Sequence, residues 1–165
     1  MKNKAIGCVV AVCTTLALAA QPVMAQGAEG EDAAEWAEKG RHELGLFLGV
    51  TDQKGDTGFS MGLDYEYHLS RMFGIGGLLE YTGSDFRDEI VAVPFYVHPW
   101  KELTLVAAPG VEIGAEDGSD DFLVRIGAEY GFDVRRGFEI APAVYVDFTS
   151  DDVTIVFGAA ISRSF

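Results

Sequence analysis

The sequence predicts an all-β fold: eight antiparallel strands closed into an up-and-down transmembrane β-barrel. Three observations carry this. Apolar and polar residues alternate with a period of two from His42 onward, whereas a helix would repeat near 3.6. Turn signals divide that stretch into eight segments. The polar face is rich in glycine, and the apolar face bears aromatics at both ends. A soluble barrel would hide its apolar face, and a lipid-bound one would show it.

Residues 1–25 read as a secretory signal peptide. Met1-Lys2-Asn3-Lys4 is basic, Ala5 to Ala20 is uncharged, and Val23-Met24-Ala25 is a small-x-small cleavage site. The apolar core is short for a spanning helix, which needs about 20 residues. The full chain has 26 acids, 12 bases and a formal charge of −14; loss of Lys2 and Lys4 would make it −16. Cys8 and Cys13 would leave with the signal, so the mature chain has no disulfide. Residues 26–41 form an acidic leader. Asp32 and Glu35 have capping-box spacing and Gly40 could end a helix; a short helix and a flexible leader both remain open.

The barrel occupies residues 42–165. Segment 42–51 places Glu43, Gly45 and Gly49 on its polar face. Segment 57–68 alternates fully: Phe59, Met61, Leu63, Tyr65 and Tyr67 against Ser60, Gly62, Asp64, Glu66 and His68. Segment 72–83 carries Phe73 and Tyr81 on one face and Gly74, Gly76 and Glu80 on the other. Segments 90–99 and 102–114 contain Pro94 and Pro109, and 138–149 contains Pro142. Each proline removes a ladder donor, so a bulge or kink is expected at all three. Segment 121–134 puts Phe122, Val124, Ile126, Ala128, Tyr130, Phe132 and Val134 opposite Leu123, Arg125, Gly127, Glu129, Gly131 and Asp133. Segment 152–165 ends on Phe165.

Two features turn the apolar face outward. Glycine weakens strands, so a glycine-rich face suits a narrow lumen that side chains must fill. The aromatic pairs Phe59/Tyr67, Phe73/Tyr81, Phe122/Phe132 and Phe138/Phe148 are eight to ten residues apart, a rise of roughly 20–25 Å, the height of a lipid-facing band between aromatic girdles. No later segment is long and apolar enough for a spanning helix, so closed strands are the way across.

On these residues the chain resembles the small outer-membrane β-barrel family that includes OmpA-like and OmpX-like barrels. The resemblance covers about 42–165 and implies localisation in the outer membrane of a Gram-negative envelope, a monomer, both termini in the periplasm, and contact with outer-membrane lipid and lipopolysaccharide. It also implies that Phe165, with Ile161 and Phe157, forms the signal read by the barrel-assembly machinery. Arg163 departs from the apolar residue the family prefers there and is expected to snorkel at the interface.

The charges sort by position. The outer connections hold or adjoin eleven acids, among them Asp52, Asp56, Asp85, Asp88, Glu116, Asp117, Asp120 and Asp151, against Lys54 and Arg87. Divalent cations could bridge these loops to lipid phosphate, since hard cations prefer carboxylates. Solvated loops are the plainer expectation. Nucleic acid is excluded as a partner, because phosphate binding needs clustered Lys and Arg. On the lumen face Glu43, Asp64, Glu66, Glu80, Glu112, Glu129 and Asp147 surround a single Arg125. Buried charges must pair, and a polar network of Arg125 with Glu112 and Asp147, aided by Tyr145, is expected.

The function predicted is structural or interactive and non-enzymatic, with a filled lumen and no cofactor. A narrow porin-like channel is the first alternative. A lipid A-modifying enzyme is another: His68-Leu69-Ser70 faintly resembles the His and Ser of outer-membrane lipid A deacylases, but Arg71 stands where that family has Asn. A soluble periplasmic ligand-binding barrel is the third. His42, His68 and His98 are scattered in sequence and suggest no metal site.

Overall fold

A computed structural model describes residues 40–53, 56–83, 88–114, 120–135, 137–150 and 152–165. The signal peptide, most of the leader, and loop residues such as Lys54, Asp85, Arg87, Glu116, Asp117 and Asp151 lie outside them.

Alternation from His42 onward becomes ten strand pieces: β1 (His42–Gln53), β2 (Asp56–His68), β3 (Phe73–Gly83), β4 (Asp88–Ala92), β5 (Phe95–Trp100), β6 (Leu103–Gly114), β7 (Asp120–Tyr130), β8 (Phe132–Arg135), β9 (Phe138–Phe148) and β10 (Val153–Ser164). β4 with β5, and β7 with β8, are single barrel strands interrupted once, so the barrel has eight strands. Each pairs antiparallel with the next, and β10 returns to β1 from Glu43↔Ser164 to Asp52↔Ile155. The ring therefore has no free edge. The last residue completes the seam: Phe165 N–H donates to His42 C=O at 2.8 Å, and His42 N–H donates back at 3.2 Å.

The prolines correct an expectation in part: the strand is interrupted at Pro94, between Ala92 and Phe95, but the ladders run on through Pro109 and Pro142. The register is the same on both sides of Pro94: Ala92 faces Gly110 and Phe95 faces Ala107. Pro109 pairs with Val124 in an unshifted ladder, and Pro142 with Ala159 in another. No register shift occurs at any of the three, and at Pro94 and Pro109 the residue that lacks a donor still serves as an acceptor. Gly76 N–H donates to Pro94 C=O and Val93 N–H to Pro109 C=O, both at 2.9 Å. The register slips instead between Val97 and Trp100 and between Asp133 and Arg135, beside turns. There the ladder is ending and a slip disturbs few pairs.

The faces divide by parity. Leu46, Leu63, Val91, Ile126 and Phe157 are about half exposed (45–54%) and belong to a continuous apolar exterior. Phe47, Leu123, Ala108, Tyr145 and Val156 are buried inside. Glycine makes the room. A Cβ on Gly49 or Gly158 would fall on the Phe47 ring, and one on Gly127 would fall on Tyr145. Large side chains therefore fill the lumen across strand positions that carry none. At the end where β1 begins and β10 finishes, His42, Tyr65, Tyr67 and Phe165 form an aromatic group, with Phe165 stacked on His42 at 5.8 Å. Arg163 lies over the Phe138 ring at 5.2 Å, shielding its charge with an aromatic face.

Candidate functional site

Among the described residues the strands enclose a polar lumen, and Arg125 is buried within it. It projects inward from β7, 1% exposed. Its ladder neighbour on β9 is Asp147, so the two side chains leave adjacent strands on the same face. Nε donates to Asp147 Oδ1 and Nη2 to Oδ2, both at 2.7 Å. Nη1 and Nη2 donate across the lumen to Glu80 of β3, at 2.5 and 3.1 Å. The guanidinium is thus held by two forks, the geometry that suits arginine to carboxylates. Tyr145 stacks beneath it, 4.9 Å from ring centre to Cζ, and its hydroxyl donates to Glu129 at 2.7 Å. Phe47 packs edge-on against the same ring at 5.5 Å.

Asp147 and Tyr145 therefore meet Arg125, and Glu112 does not. Glu112 faces Asp121 and Ile90, about four residues along β6 from Ala108, which is the position opposite Arg125. At about 3.3 Å per residue that is roughly 13 Å along the strand. It lines a small cavity of about 10 Å³ with Asp88 and Thr154, a cavity that Glu80 and Asp147 also line, but it makes no contact with Arg125. Glu80 replaces it because strand stagger brings β3 level with β7 across the barrel.

Thr51, Ser60 and Thr82 form a buried hydroxyl chain nearby, with Ser60 to Thr82 at 3.2 Å. Among the described residues, no buried side-chain nitrogen or oxygen lacks a hydrogen-bond partner. This satisfaction is what an interior of charges requires.

A second polar cluster lies toward the terminal end, around a cavity of about 60 Å³. Glu66 Oε1 accepts from His98 Nε2 at 2.8 Å and from His68 Nδ1 at 3.0 Å. Histidines remote in sequence are thus brought together, and only His42 stays apart, bonded to Tyr65 on the exterior. The meeting depends on Gly74. It lies on β3 between His68 of β2 and Tyr96 of β5, and a Cβ there would fall on Glu66.

Ser70 does not act with His68. Its Oγ accepts from the backbone N–H groups of Met72 and Phe73 at 3.3 and 3.2 Å, capping the turn. Phe157 and Ile161 lie exposed on the β10 exterior, and Phe165, just beyond the strand, is exposed too.

A closed antiparallel barrel with an apolar exterior and a charged, packed interior defines the class: the fold is that of transmembrane β-barrels. Solved structures share it. A de novo designed transmembrane β-barrel aligns with a TM-score of 0.56 at 14% identity, covering 73% of this chain and 94% of that one. Ail, the attachment invasion locus protein of Yersinia pestis, in complex with the heparin analogue sucrose octasulfate, aligns with a TM-score of 0.52 at 13% identity, covering 75% and 96%. A further designed barrel, solved by solution NMR, gives 0.53 at 13% identity, covering 76% and 96%. No protein-family model and no curated protein matches the sequence.

Proposed function

We propose that the chain is an integral outer-membrane β-barrel of a Gram-negative envelope, with a structural or interaction role, no enzymatic activity and a lumen closed to solutes. The observation that carries this is the pairing of an apolar exterior with the buried Glu80–Arg125–Asp147 plug. So large an apolar surface is not tolerated by a monomer in water. A guanidinium forked by two carboxylates, with the buried side chains of Phe47, Leu123 and Tyr145, supports a filled lumen.

The termini then face the periplasm and the acidic loop end faces outward, where Ca²⁺ or Mg²⁺ can bridge its carboxylates to lipopolysaccharide phosphate. The barrel works as a monomer, and Phe165, Ile161 and Phe157 guide its insertion by the assembly machinery. The polyanion bound by Ail does not transfer, since an acidic rim repels sulfates.

Fractionation with surface proteolysis tests the proposal. Recovery in the outer membrane, faster gel migration before boiling, and cleavage at loops from outside the cell are expected. Release with soluble periplasmic proteins would overturn it.

A further inference from the structure

We propose that Glu66, His68 and His98 form a binding site for a divalent transition-metal ion, with Zn²⁺ the best-matched ion, inside the terminal mouth of the barrel. One donor atom from each residue lies within 4.8 Å of the other two. Tetrahedral Zn²⁺ with bonds near 2.0–2.1 Å sets ligand atoms about 3.3 Å apart. Glu66 Oε1 already sits 3.0 Å from His68 Nδ1 and 2.8 Å from His98 Nε2. Small rotamer shifts therefore bring all three onto one ion. Two imidazoles with one carboxylate favour zinc over Ca²⁺ or Mg²⁺, which take oxygen ligands.

The surroundings support the ligands as a metal site's outer residues do. The far nitrogen of each imidazole has its own partner. His98 Nδ1 lies 3.1 Å from Thr104 Oγ1, and His68 Nε2 lies 3.6 Å from Glu43. Glu43 is itself held by the Ser164 hydroxyl at 2.8 Å. Such partners fix ring orientation and leave the near nitrogen for the metal. Tyr96 stacks on the His98 ring at 6.5 Å, limiting its swing. The adjoining cavity of about 60 Å³ has room for water at a fourth position, and its wall is polar, lined by Asp64, Lys101, Glu129 and Glu139. The glycine at position 74 keeps the space between the strands clear.

The test is calorimetric titration of ZnCl₂ into the refolded, tag-free barrel in detergent, beside His98→Gln, Thr104→Val and His42→Gln. Saturable binding of one Zn²⁺ per barrel is expected, weakened at least tenfold by His98→Gln, weakened about tenfold by Thr104→Val, and unchanged by His42→Gln. No saturable binding, or equal affinity in His98→Gln, overturns the proposal. Gel mobility before boiling reports whether each variant folds. Should His98→Gln fail to fold, X-ray absorption of the Zn²⁺-loaded wild-type barrel decides: two imidazoles in the first shell support the site, and oxygen ligands alone overturn it.

Discussion

Replacing Arg125 with alanine removes the only cation from a layer in which Glu80 and Asp147 are 1% and 2% exposed. Five contacts go at once: four charge-assisted hydrogen bonds and the face of Tyr145. What remains is two carboxylates facing each other across a filled lumen. Breaking a buried pair by removing one partner costs about 3–5 kcal/mol, mostly the stranded charge and not the net worth of the pair. Arg125→Ala is therefore predicted to lose about that much stability. Because the cost lies in the stranded charge, the loss is recoverable. Arg125→Met combined with Glu80→Gln and Asp147→Asn leaves no charge among these three positions and should regain most of it. Urea unfolding in detergent micelles, read by gel mobility and tryptophan fluorescence, measures each variant. A double-mutant cycle adds the specificity: Arg125 should couple to Glu80 and Asp147 by more than about 1 kcal/mol, and to Glu112 by less than about 0.5 kcal/mol. An Arg125→Ala loss below about 1 kcal/mol, or a Glu112 coupling equal to that of Glu80, would refute the reasoning.

Other predictions follow from packing and pairing. Gly158→Val places atoms against Phe47 and the Leu48 carbonyl and should destabilise by about 1–3 kcal/mol. Gly77→Ala meets nothing within 4 Å and should stabilise by about 0.5–1 kcal/mol in the same unfolding assay. Pro109→Val restores a donor opposite Val93 without changing the register, so a gain of about 1 kcal/mol is expected. Deleting Phe165 removes both seam bonds to His42 and should lower the fraction of membrane protein that migrates as a folded barrel before boiling.

Face parity was legible because a period of two is a local signal. It assigns Phe59, Met61, Leu63 and Tyr65 to the outside and Glu80, Arg125 and Asp147 to the inside, as the strands place them. Contacts across the lumen were not legible. They depend on strand tilt and stagger, which bring Glu80 rather than Glu112 level with Arg125. The His68–His98 meeting was hidden for a related reason: their strands are not neighbours, and β3 lies between them. A usable signal existed. Both histidines fall at the last inward position before a turn at the same barrel end, and Gly74 leaves the gap between them open. A proline in a strand signals a missing donor but not how the ladder absorbs the loss. In these ladders the lost bond is tolerated without a change of register.

The claim that most needs testing is that the barrel is sealed. Single-channel recording of the refolded protein in planar lipid bilayers addresses it directly. The Glu80–Arg125–Asp147 layer predicts insertion with no unitary conductance steps above the bare bilayer. Stable, reproducible open steps from the wild-type barrel would contradict it.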